Sequence, residues 1–149
     1  MEKISKEMYL FMKWRLSKLK TKTLSRAFAL LIDNIGIYAL VVGIFINIGK
    51  DSAFALGIGS LIFTLYSILV PVIFKGYHFG KYMLGMKIVR DNYDNPSIVN
   101  IIVRELCKMI YTIPLIGIIL ALVSNYIMSS REDGKAIHDI IARTKVINV

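Results

Sequence analysis

Asp33 is the residue in this sequence with the most chemistry to explain. It lies in the run Arg26-Ala-Phe-Ala-Leu-Leu-Ile-Asp33, inside a long apolar stretch. If that stretch is a helix, Asp33 sits about 10 Å further along its axis than Arg26. A charge near a bilayer centre costs about 2.5–3.5 kcal/mol on insertion scales, so such a carboxylate is expected to face the protein interior and to have a partner. At 100° per residue, Arg26, Asp33, Gly36, Gly43 and Asn47 fall within an arc of about 100°. Small residues on that face would let a neighbouring helix approach. A second stripe follows later: Asn100, Arg104, Lys108 and Tyr111 share one helical face, with Glu105 on its edge. If the two faces meet, Arg104 or Lys108 neutralises Asp33. Two readings stay open. One is a buried ion pair that holds helices together; the other is an ion-binding or proton-responsive carboxylate. Burial without a cation raises a carboxylate's pKa, and a nearby arginine lowers it.

His138-Asp139 is a second polar pair. One reading is a solvated helix start with a carboxylate near the positive end of the dipole. The other is that Asp139 reaches Arg26, which requires both on one side of the membrane. The segment Gly76-Tyr-His-Phe-Gly80-Lys81 contains a Gly-Lys pair but lacks the six-residue spacing and the Ser/Thr of a phosphate loop, so nucleotide binding is not expected. One cysteine excludes a disulfide framework and a Cys-based zinc site, and the two histidines lie far apart. No nucleophile–base grouping is recognisable. Neither an enzyme, nor a cofactor, nor a metal centre is expected.

The elements that must position these residues are membrane helices. Of 149 residues, 56% are hydrophobic even without glycine, above the soluble norm of about 45–50% with glycine. Mean hydropathy is +0.60. Yet Lys and Arg number 19 against 10 acids, a net charge of +9. The apolar residues are too clustered for a disordered tail or a nucleic-acid domain. Residues 27–48 and 53–74 each reach about 33 Å as helices, enough to cross a hydrocarbon core of about 30 Å. The short linker between them makes them an antiparallel hairpin. Residues 109–128 read as one span, or as the second part of two shorter helices, about 96–112 and 114–129, folded at Ile113-Pro114. Asn95 as N-cap and Pro96 as first helical residue would start the earlier one.

Charge arbitrates in favour of two shorter helices. Basic residues crowd before the first span, between the second and third, and in the tail, whereas the first connection has only Lys50 beside Asp51. Positive segments stay cytoplasmic, so four crossings with both termini inside fit and three do not. Met86–Arg90 and residues 144–149 read as two strands. A lone strand is unstable, so they are expected to pair as a small cytoplasmic ribbon.

Residues 1–25 form a basic arm. Ile4, Met8, Phe11, Met12, Leu16 and Leu19 recur at helical spacing, with lysines elsewhere around the axis and Trp14 suited to an interface. This predicts an amphipathic helix on the anionic inner leaflet rather than an unstructured arm. The early apolar run is too short for a signal peptide.

On these residues the chain resembles the RDD family of small integral membrane proteins. The family's arginine and first aspartate match Arg26 and Asp33. Its glycine-lysine loop after the second span matches Gly76, Gly80 and Lys81, followed by Gly85-Met86-Lys87-Ile88-Val89. Its next arginine matches Arg104, and its C-terminal signature matches His138-Asp139-Ile140-Ile141-Ala142-Arg143-Thr144 and the strand after it. His78 stands where the family usually has Thr, and the arm lies outside the match. The resemblance implies a membrane domain over 26–149 and suspected transport, sodium–proton exchange in some members, with regulatory or protective roles in others.

The expectation is therefore an all-α integral membrane protein of the cell membrane: a helical hairpin plus two shorter helices in a four-helix bundle. Asp33 is the candidate ion- or proton-binding group, with Arg26, Arg104, Lys108, His138 and Asp139 as charge partners. The leading expected function is transport of a small cation or proton exchange, in a homo-oligomer because four helices enclose little space. The alternative is a non-transporting regulatory, inhibitory or protective protein that binds a membrane protein or lipid.

Overall fold

The computed structural model describes Phe11 and residues 20–149; apart from Phe11, the expected amphipathic helix of the arm lies outside the described residues. The elements run α1 (Thr23–Asn47), α2 (Ser52–Ile73), α3 (Phe79–Met83), β1 (Met86–Arg90), α4 (Ile98–Met109), α5 (Ile116–Ser130), α6 (Ile137–Ile141) and β2 (Thr144–Asn148).

Helices α1 and α2 are the two long apolar elements, 25 and 22 residues. Only 17% of the apolar window of each is buried, whereas a core helix of a water-soluble domain is mostly buried. Leu31, Leu40, Leu61 and Leu69 all point outward. Both are long and apolar enough to cross a membrane. The hairpin turns at Gly49, and the Asp51 side chain caps α2 by accepting from the Phe54 N–H at 2.8 Å.

Helix α1 is not regular. Residues Asn34–Tyr38 form a π-turn directly after Asp33. One extra residue in the turn rotates everything beyond it by about 100° relative to a straight helix. The expected polar stripe therefore breaks. Gly36 still faces the short helix α3. Gly43, however, has open space beside it, and Asn47 is exposed, with its amide donating to the Gly43 carbonyl at 2.8 Å. Val42 takes the inner position instead and packs onto Gly59 of α2.

The third apolar region is divided as expected. Helix α4 continues into a 3-10 turn at Ile110–Thr112, the chain bends through Pro114 and Leu115, and α5 begins at Ile116. Helix α4 starts two residues later than expected. Ser97, in extended conformation, is its N-cap and forms a reciprocal capping box with Asn100. Strands β1 and β2 pair antiparallel, from Met86 opposite Asn148 to Arg90 opposite Thr144. The buried core lies at this end of the helices: Ala29 of α1, Met86 and Ile88 of β1, Ile101 of α4 and Val146 of β2, flanked by Ile68 and Val72 of α2.

Candidate functional site: a charged cavity between the helices

The first turn of α1 carries Arg26 to the ribbon end, where it meets the C-terminal segment. Its guanidinium donates to Asp139 Oδ2 at 2.8 Å, the Gly134 carbonyl at 2.8 Å, the Val146 carbonyl at 3.2 Å and Thr21 Oγ1 at 2.6 Å. Asp139 is fully buried on α6, and its other oxygen, Oδ1, lies 2.9 Å from Arg104 Nη1 on α4. One carboxylate thus bridges two arginines from distant parts of the chain. The Ala136 N–H at 3.3 Å and Thr144 Oγ1 at 3.5 Å also donate to it, and His138 Nε2 lies 3.8 Å from Oδ1. Burial opposes ionisation of Asp139, but the Arg104 and Arg26 charges outweigh it and hold the group well below the usual carboxylate range. His138 is pushed down to about 3, chiefly by burial, and is neutral at physiological pH.

Asp33 is held differently. Neither Arg104 nor Lys108 pairs with it, contrary to the expected meeting of the two stripes. Arg104 is engaged by Asp139, and Lys108 pairs with Glu105 at 2.6 Å, one turn away on its own helix. Asp33 Oδ1 instead accepts from the Tyr66 hydroxyl of α2 at 2.9 Å and from the Gly80 N–H of α3 at 2.8 Å. Tyr66 also accepts from the Phe79 N–H at 2.8 Å. These bonds require α3 to lie hard against α1. A Cβ at Gly80 would collide with the Ala29 carbonyl oxygen, so only glycine lets the two backbones approach this closely. Gly76 serves the same segment. It takes φ +100°, a Cβ there would strike the Ile88 carbonyl, and its own carbonyl accepts from the Ile88 N–H at 2.8 Å.

A cavity of about 570 Å³ opens between α1, α2, α4 and α5. Asp33, Arg26, Arg104, Lys108, Lys81 and His138 all line it. Lys81 is 8% exposed and forms no ion pair or hydrogen bond with any described residue. Its ammonium is pushed down to about 7, first by burial and then by the Lys108 and Arg104 charges, against the opposing pull of Asp33 and Glu105. The Tyr111 hydroxyl reaches Ser124 Oγ at 3.2 Å and His138 Nδ1 at 3.4 Å, closing the wall near α5. Among the described residues, no group of three His, Cys, Asp or Glu side chains is placed to hold a metal ion.

The structure thus brings together the charged residues the sequence singled out: Arg26 and Asp139 meet as one of the two sequence readings had it, whereas Asp33 finds different partners. It adds Tyr66, His78 and Ser124. Tyr66 sits in an uncharged span with no spacing that marks it, and His78 belongs to the glycine-lysine loop itself.

The RDD family model matches residues 21–143. A relative in Bacillus subtilis (strain 168), named "Uncharacterized protein YckC", is 35% identical over 100 residues. That alignment covers 66% of this chain, and the chain spans 64% of the relative's length. No solved structure matches. The matched region includes the arginine and aspartate of α1, the glycine-lysine loop, Arg104 and His138-Asp139, and two helices in it are long and apolar enough to cross a membrane. The chain belongs to the RDD family.

Proposed function

We propose that this protein is a multi-pass cell-membrane protein that exchanges a proton for a small cation at Asp33 and Lys81. The observation that carries the reading is the Lys81 side chain, buried in the same cavity as Asp33 without an ion pair of its own among the described residues. Protonated, Lys81 supplies the positive charge that Asp33 needs in a low-dielectric site. When the ammonium releases its proton into the cavity, Asp33 is left uncompensated, and a small cation entering beside it restores neutrality. One proton leaves for each monovalent cation that binds.

The Arg26–Asp139–Arg104 bridge is the fixed frame of this site, since its carboxylate stays ionised across the working pH range. That bridge also supports a cytoplasmic C-terminus. It joins the start of α1, next to the basic arm, to the basic tail, and basic segments stay inside. The helices enclose little space beyond this cavity, so a complete path through the membrane is expected in a homo-oligomer.

The test is cation-driven proton movement in liposomes. The wild-type chain is expected to alkalinise the lumen on an external sodium or potassium pulse, because each cation that enters is exchanged for a proton that leaves. Asp33→Asn and Lys81→Met are expected to abolish the response. A folded wild-type chain that moves no protons, or an Asp33→Asn chain that exchanges normally, overturns the reading.

A second reading is a non-transporting protein that acts by binding a partner protein or lipid. It is favoured by the donors in the same cavity that have no hydrogen-bond acceptor.

A further inference from the structure

Three polar atoms at the cavity have no hydrogen-bond partner among the described residues: His78 Nε2, Arg104 Nε and Arg104 Nη1. Both residues line the cavity, at 4% and 2% exposure. Arg104 Nη1 touches Asp139 Oδ1 at 2.9 Å, but without the alignment of a hydrogen bond. Buried donors are rarely left unmatched, because each lost bond to water costs about 1–3 kcal/mol and more for a charged group. The charge balance points the same way. Arg26, Lys81, Arg104 and Lys108 line the cavity against Asp33 and Glu105, with Asp139 beneath two of the cations. Asp139 offsets one arginine, Glu105 offsets Lys108, and Asp33 offsets Lys81 at most. One positive charge is left over, and it lies where the unmatched Arg104 donors are.

We infer that this cavity binds a phosphate-type oxyanion, held by the Arg104 guanidinium, the Lys81 ammonium and the His78 Nε2–H. A tetrahedral oxyanion presents several acceptors to donors arriving from different elements, here α4, α3 and the residue just before α3. The neutral imidazole of His78 can donate through Nε2. The cavity exceeds the volume of inorganic phosphate, and Leu30, Phe63, Met109 and Met128 supply apolar wall beside the charged groups. Two sources share this chemistry: free inorganic phosphate, and the headgroup phosphate of an anionic lipid whose apolar part takes the remaining space. The site rests on the cavity's donors and requires neither exchange nor its absence. An occupying anion would hold Lys81 in its protonated form and thereby oppose cation entry at Asp33.

The experiment uses the full chain in nanodiscs of neutral phosphatidylcholine, titrated with inorganic phosphate, and in parallel nanodiscs doped with phosphatidylglycerol. Thermal midpoint is the readout, supported by native mass spectrometry to count retained phosphatidylglycerol. Lys81→Met is the variant, because Lys81 has no partner among the described residues whose loss would unfold the chain. Stabilisation of wild type by inorganic phosphate, with apparent Kd weakened about tenfold or more in Lys81→Met, supports the site with a free anion as its source. Stabilisation by phosphatidylglycerol alone, with one lipid retained by wild type and none by Lys81→Met, supports it with a lipid as the source. No stabilisation by either, or equal stabilisation of both proteins over their own baselines, overturns it. Liposome flux is read separately, so absence of exchange with phosphate binding intact rejects the exchange reading alone, and the reverse rejects this site alone.

Discussion

Arg26 Nη1 and Asp139 Oδ2 stand 2.8 Å apart although 113 residues separate them in the chain. The contact closes the structure from its first long helix to its last short one, and Arg104 takes the other oxygen of the same carboxylate. Removing one partner of a buried ion network leaves charges unpaired, which costs about 3–5 kcal/mol. Asp139→Asn, which strands two arginines, is therefore expected to lower stability by that order, read as a drop in thermal midpoint in detergent. The sign with pH follows from the lowered pKa of Asp139. Its contribution is complete above the ordinary carboxylate pKa and is lost as the pH falls through the lowered folded value. An acid series of melting curves checks this; a wild type no less stable in strong acid than at neutral pH contradicts it.

Lys81 behaves in the opposite way. Its folded pKa of about 7 lies below the model-peptide value of 10.5, so the unfolded chain binds more protons between those two values. Stability is expected to rise with pH across that window. At neutral pH the burial of the Lys81 ammonium and its repulsion by Lys108 and Arg104 outweigh the attraction of Asp33 and Glu105, so Lys81→Met is expected to stabilise the fold by about 1–4 kcal/mol while flattening the rise. Equilibrium melts of both proteins from pH 7 to 10 measure it.

Gly80→Ala is expected to destabilise by about 2–4 kcal/mol, because the added methyl collides with the Ala29 carbonyl and pushes α3 away from Asp33. Gly57→Ala, on a part of α2 with open space beside it, is the control, and is expected to be neutral or slightly stabilising through helix propensity. Paired thermal melts decide between a specific contact and a general intolerance of alanine.

Tyr66→Phe removes the hydroxyl that links Asp33 to the Phe79 N–H. A loss of about 1–2 kcal/mol in stability is expected. In the liposome assay, the variant is expected to shift the pH dependence of exchange rather than abolish it, because the Gly80 N–H still holds Asp33.

Much of this arrangement was legible in the sequence. The two long helices show in hydropathy alone, and the break at Ile113-Pro114 follows from the proline together with the distribution of basic residues. The pairing of Met86–Arg90 with the tail followed from the instability of a lone strand. What the sequence hid has identifiable causes. The π-turn after Asp33 has no compositional mark, yet it rotates Gly43 and Asn47 off the expected face. The partner of Asp33 was sought among cations on another helix. It came instead from a neutral hydroxyl in an uncharged span and a backbone N–H, and backbone donors carry no sequence signature. Helices α3 and α6 are five residues each, too short for periodicity to reveal.

The titration of Lys81 itself tests the account most directly. Lysine-selective NMR of the full chain in nanodiscs follows the side-chain ammonium resonances as pH is raised, with Lys81→Met giving the assignment. The account predicts one lysine signal with a midpoint about 7, absent from the variant. A Lys81 signal that stays protonated until the pH approaches the ordinary lysine value of about 10.4 contradicts it.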